Sequence, residues 1–157
     1  MPDGVLPARM RVSALIVRED QVVLVEFFTE QKGVHYDLPG GGLDPSESLR
    51  AGVQRECREE IGCEVSVGRL LMLAEYIPSP SGGMHSDRHT IDFVFEAFLV
   101  DGQEPHLPAL PDEDQTGAKW MPIATLSRAY LRPAVADWLV SRARLSQEDV
   151  LFEDAWL

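Results

Sequence analysis

Gly41-Gly42-Leu43-Asp44-Pro45-Ser46-Glu47 and, seven residues later, Arg55-Glu56-Cys57-Arg58-Glu59-Glu60-Ile61-Gly62-Cys63 are the most informative stretch of this 157-residue chain. Asp44, Pro45 and Ser46 are residue types that open helices, no proline interrupts the run to Glu60, and Gly62 can stop it. The spacing predicts a helix from about Ser46 to Ile61. At about 100° per residue, Leu49, Val53, Glu56 and Glu60 fall on one side, with Glu59 at its margin and Arg50, Gln54 and Arg58 opposite. This is the spacing of a buried stripe whose second half is acidic. An unpaired ionised group removed from water costs several kcal/mol, and carboxylates within one turn repel one another. Protonation, arginines or bound cations must relieve them, and Arg55 alone cannot neutralise three charges. Oxygen-only ligands from Glu56, Glu59 and Glu60 suit a hard cation such as Mg²⁺ or Mn²⁺, which takes further ligands from water and phosphate. Gly52, one turn back on the same side, is expected to keep the approach to that face open. For an isolated Glu-x-x-Glu-Glu the plainer reading is a solvated acidic helix end with Arg55 and Arg58 in surface pairs. The company the triplet keeps decides against it.

Outward from the helix, Val12 to Val17 and Val22 to Phe28 read as a hairpin around Glu19, Asp20 and Gln21. Thr29 to Gly42 reads as a loop with an unusual backbone, because it ends in Pro39 and three glycines. Glu64 to Val67, Leu70 to Ile77 and Thr90 to Val100 read as strands, the last two joined by a loop from Pro78 to His89. A second loop, from about Asp101 to Ala118, leads to a short strand around Trp120, and Pro133 opens a final helix towards Leu145. With no repeat and no dividing linker, residues 1–157 are expected to form one domain.

The 14 Lys and Arg against 26 Asp and Glu give a net charge of −12, which argues against stable binding to nucleic acid or an anionic membrane. No apolar run approaches the length of a membrane span. The first residues show neither a signal peptide nor a transit pattern, so a cytoplasmic chain is expected. Two cysteines, Cys57 and Cys63, are too few for a disulfide scaffold and read as small apolar residues. The last ten residues mix acids with Val150, Leu151, Phe152 and Trp156, and either pack on the domain or form a homodimer interface.

Taken together, Gly41, Glu47, Arg55, Glu56, Glu59, Glu60 and Gly62 resemble the 23-residue box, Gly41 to Cys63, of the Nudix hydrolases (MutT-like domains). At about 6% per residue, seven fixed positions coincide by chance on the order of once in 10⁸ to 10⁹ starting points, so the match is specific. Cys57 and Cys63 stand where that family usually has Ile, Leu or Val, a change that leaves the chemistry untouched.

The resemblance implies an α/β fold, an α/β/α sandwich with a mixed β-sheet between the box helix and the C-terminal helix. It implies hydrolysis of a phosphoanhydride in a nucleoside diphosphate linked to another moiety: ADP-ribose, a nucleotide sugar, a dinucleoside polyphosphate or a nucleoside triphosphate. Carried over by position, Glu56, Glu59, Glu60 and the Gly40 carbonyl are metal ligands for Mg²⁺ or Mn²⁺, while Glu47 and Arg55 hold the helix end and orient Glu56. The general base is either Glu56 or an acid of the later loop, Asp112, Glu113 or Asp114, of which Asp114 is taken as the candidate. For a small-molecule nucleotide, Arg11 and Arg88 are phosphate-binding candidates and Phe28 and Tyr76 are stacking candidates; taken singly, core packing is the better reading for each aromatic. The rival reading is a catalytically silent nucleotide-sensing module, which commonly carries an eroded box; this box is intact. Phosphate-loop, nucleophile-elbow and Cys-x-x-Cys motifs are absent.

Overall fold

Val22, Val23, Leu24 and Val25 are consecutive β-formers and all are fully buried. A strand covered on both faces belongs in the middle of a structure, and here it lies between two layers of core. The computed structural model describes residues 7–78, 88–126, 131–132 and 151–153. In chain order it contains β1 (Arg9–Leu15), β2 (Val17–Arg18), β3 (Gln21–Thr29), β4 (Gly33–Asp37), β5 (Gly40–Gly42), α1 (Leu49–Ile61), β6 (Val65–Tyr76), β7 (Thr90–Leu99), β8 (Gln115–Pro122), β9 (Leu131–Arg132) and β10 (Leu151–Glu153). One sheet runs β10-β6-β7-β1-β5; the other runs β2-β3-β4-β9, with β8 also paired to β3. Both are mixed: β1 is parallel to β7, β10 to β6 and β9 to β4, and the other pairs are antiparallel.

Two cores flank the sheets. One joins Val53, Cys57 and Ile61 of α1 to Val12 and Ala14 of β1 and to Val23 and Val25 of β3. The other joins Leu15, Met72, Ala74 and Val94 to Val22, Leu24, Leu38 and Leu131. Full burial of side chains of this size contributes about 1.5–3 kcal/mol each. Both cysteines are free and buried, and burial pushes the Cys57 thiol far above its ordinary pKa. Among the described residues no helix is long and apolar enough to cross a membrane.

Several sequence expectations change. The hairpin is only its tip: β2 pairs with β3, whereas β1 leaves it and joins the other sheet between β7 and β5. Residues 29–42 are not all loop, because Val34 and Tyr36 pair across from Phe28 and Glu26, and the glycines of β5 pair with β1. The helix begins at Leu49, not Ser46, since Ser46 has φ 70° and Ser48 is the cap. β6 is one strand rather than two; its register shifts between Val67 and Leu70, where Arg50 donates to the Val67 and Gly68 carbonyls at 2.7 and 2.6 Å. Gly52 opens no approach, since a Cβ there would lie 3.0 Å from Glu47, Leu43 and Val12 atoms; it lets α1 pack close to them. The helix expected from Pro133 to Leu145 lies outside the described residues. Within the last ten residues, β10 pairs with the edge of the first sheet through Leu151 and Met72.

Candidate active site

α1 starts where Ser48 Oγ accepts the Ala51 N–H at 3.2 Å and ends at Gly62, whose φ of 66° is left-handed. Between these caps Arg55 is placed to donate hydrogen bonds to four neighbours. Its Nε and Nη2 donate to the two Glu47 oxygens at 2.9 and 2.8 Å. Nη1 donates to Glu56 at 2.7 Å and Glu59 at 3.0 Å, and Nη2 also reaches the Gly42 carbonyl at 2.9 Å. These partners, Glu47 first, raise the Arg55 pKa well beyond its ordinary value, so the guanidinium is a fixed charge.

Of the three helix acids, Glu56 and Glu60 are 7% and 4% exposed, whereas the Glu59 side chain is open to solvent. Burial pushes Glu56 above the usual carboxylate range, against the pull of Arg55. Burial likewise pushes Glu60 up to about 8, with the Glu56 charge adding to the rise and the Gly40 N–H, 2.7 Å from Glu60 Oε2, opposing it. Gly41 sits directly on Glu56: a Cβ there would come within 2.4 Å of its carboxylate.

β1 supplies counter-charge from the other side. Arg11 donates to the Gly40 carbonyl at 3.0 Å and lies 3.5 Å from Asp92, its partner in the β1–β7 register. Burial works against the Arg11 charge, but Asp92, Asp37, Glu60 and Glu56 together hold its pKa above the ordinary value. Asp92 is fully buried and accepts the Ser13 hydroxyl at 2.8 Å. Burial pushes Asp92 up, and Arg11 and Ser13 oppose that push. Arg11 and Arg88 lie close enough to Arg9 to interact: burial lowers the Arg9 pKa, and the two neighbouring guanidiniums lower it further.

Glu47, Arg55, Glu56, Glu59, Glu60, Gly40 and Arg11 therefore come together, with Arg88 near the same side. The other candidates separate. Of the loop acids, Asp112 is near enough for its charge to raise the Glu60 pKa. Asp114 is exposed, has φ 66°, and is tied to β3 through the Phe28 N–H at 2.9 Å from its carbonyl. Phe28 is 50% exposed opposite Val34, whereas Tyr76 is buried at 7% and offers no open face for stacking. Asp92, Ser13 and Gln115 were not foreseen from sequence. Gln115 Nε2 donates to the Glu60 carbonyl at 2.7 Å and its Oε1 accepts the Asp112 N–H at 3.2 Å, joining the loop to the helix end. The signal for Asp92 was an acid sharing strand parity with Thr90 and Val94, both of which face inward.

Among the described residues, no three His, Cys, Asp or Glu side chains are already gathered tightly enough to hold an ion. Arg55 holds two of the helix acids instead. The chemistry of the set still fits a hard divalent cation: two buried carboxylates that repel each other, a third at the surface, and a glycine backbone with no side chain to exclude an ion.

A helix capped by glycine, a loop acid locked to its arginine and a buried glutamate pair are set on a mixed α/β fold. Residues 7–140 match the NUDIX domain, and the chain belongs to that family. It is 36% identical over 70 residues to the CTP pyrophosphohydrolase of Escherichia coli (strain K12), a match covering 43% of this chain and 47% of that one. The match thus spans about half the length of that relative. In structure the chain resembles a NUDIX hydrolase from Nitrosomonas europaea, with TM-score 0.70, 21% identity, and 87% and 88% of the two chains covered. It also resembles an ADP-ribose pyrophosphatase from Streptococcus suis, with TM-score 0.65, 20% identity, and 94% and 100% covered. These likenesses establish the mixed α/β fold.

Proposed function

We propose that the chain is a Mg²⁺- or Mn²⁺-dependent pyrophosphohydrolase that cleaves a phosphoanhydride bond in a nucleoside diphosphate joined to another moiety. The observation that carries the reading is the pairing of Arg55 with Glu47 and Glu56 beside the buried Glu60. Glu56, Glu59, Glu60 and the Gly40 carbonyl would hold the metal, which when bound neutralises charge on phosphate oxygens. Arg55 fixes the direction of Glu56, and Glu47 fixes Arg55. Water attacks phosphorus, the anhydride P–O bond breaks, and the water's proton passes to a nearby carboxylate. Glu56 would take that proton, or an acid of the later loop such as Asp112, whose charge is felt at Glu60. Arg11 and Arg88 would meet the phosphates, and Phe28, 50% exposed, would offer an open ring for a base.

The E. coli relative's name points to a pyrimidine nucleoside triphosphate, and that of the S. suis structure to ADP-ribose. A panel of CTP and other (d)NTPs, ADP-ribose, nucleotide sugars and dinucleoside polyphosphates, assayed with Mg²⁺ and product identification, distinguishes them. Turnover of at least one, releasing a nucleoside monophosphate and lost on chelation, is expected. Nucleotide binding without hydrolysis across the whole panel would instead mark a sensing module.

A further inference from the structure

We propose that Arg11, tethered by Asp92, is the resident counter-ion of the glycine loop, occupying the Gly40 carbonyl until a divalent cation displaces it. The inference rests on the reading of Gly40, Glu56 and Glu60 as metal ligands.

Both polar backbone atoms of Gly40 are engaged, by groups of opposite sign: its N–H by Glu60 at 2.7 Å and its carbonyl by Arg11 Nη2 at 3.0 Å. The residue is pressed onto β1 so closely that a Cβ would lie 2.2 Å from the Val12 carbonyl oxygen. The backbone has no room to turn away, so any exchange at that carbonyl moves the guanidinium. The guanidinium is held in a way that permits this. Arg11 Nε is 3.5 Å from Asp92 Oδ2, an ion contact, and neither Arg11 Nε nor Asp92 Oδ1 has a hydrogen-bond partner. Asp92 is itself fixed, fully buried and bonded to Ser13. The tether keeps the charge near while leaving the far end of the fork to the loop. A guanidinium and a divalent ion compete for one carbonyl and one pair of carboxylates, so removing the first strengthens binding of the second.

The test is Mn²⁺ binding alone, followed by electron paramagnetic resonance, on the wild-type chain, Arg11→Lys and the double variant Arg11→Met/Asp92→Asn. The double variant preserves the net charge of the pair, so a change in affinity reports the vacated carbonyl and not the local potential. We expect it to bind Mn²⁺ about tenfold more tightly, the equivalent of losing one charge-assisted hydrogen bond that the ion must displace. Arg11→Lys keeps the charge but not the reach, and a smaller tightening in the same direction is expected; it decides the matter if the double variant does not fold. Unchanged or weaker binding by these folded variants, with Mn²⁺ still bound by the wild type, overturns the inference alone. Absence of Mn²⁺ binding in every protein overturns the metal-site reading, and this inference with it.

Discussion

Arg55 and Glu47 face each other fork to fork, two nitrogens on two oxygens at 2.8 and 2.9 Å, although seven residues, the start of a helix among them, separate them. This side-on pair ties the loop before α1 to the second turn of the helix. Because the same guanidinium also holds Glu56, the direction of a buried carboxylate depends on a partly exposed acid outside the helix.

Arg55→Lys retains the charge but cannot bridge Glu47 and Glu56 together. Its kcat is expected to fall about 10- to 100-fold, with a lowered Tm. Steady-state kinetics beside thermal unfolding check this; full activity in Arg55→Lys would show that charge, not the fork, is what matters.

Replacing Glu56 or Glu60 by Gln removes a charged oxygen ligand while keeping shape. Each variant is expected to lose activity about 100-fold or more with its fold intact by circular dichroism. Activity within a factor of a few would remove both residues from the site.

Neighbouring glycines are expected to fail differently. An alanine Cβ at Gly40 would meet backbone at 2.2 Å, so Gly40→Ala should destabilise the sheet and lower the Tm. At Gly41 it would meet the Glu56 carboxylate end at 2.4 Å. Gly41→Ala should therefore keep the Tm and lose kcat as Glu56 is displaced, and comparing melting and turnover for the two variants separates these outcomes.

The Ser48 cap is structural. Ser48→Ala is expected to cost about 1 kcal/mol and lower the Tm by about 2–4 °C, with kinetics preserved. A loss of kcat at unchanged Tm would contradict this.

A second ion cluster sets an acid dependence. The Lys119 ammonium, Tyr36 hydroxyl and Thr116 hydroxyl all bond Glu26 and, with Lys119 the largest influence, hold its carboxyl below the usual range. A depressed acid stabilises the fold above its unfolded pKa, and that contribution is lost as pH falls through the folded pKa. Melting curves between about pH 3 and pH 7 should show wild type losing more Tm on acidification than Glu26→Gln. Parallel curves would sink the assignment.

The helix and its acids were legible because a 3.6-residue period and a seven-position box both fall within one local element. Gly62 as the stop and Glu56 and Glu60 as buried acids follow from that period. The path of β1 was not legible: Val12 to Val17 alternates as readily with β3 as with β7, and only pairing distant in sequence decides it. Arg11 and Asp92, 81 positions apart, meet solely through that pairing. Tyr76 and Asp114 show the opposite limit, since composition marks an aromatic or an acid but not which way it points.

The acids of this site lie on one contiguous segment, whereas the cation against the Gly40 carbonyl and the carboxylate behind it arrive from β1 and β7. The box is therefore not a portable module. Grafted onto another scaffold, residues 41–63 would carry their like charges without the opposing strand, and a designer would have to transplant the β1–β7 register along with the helix.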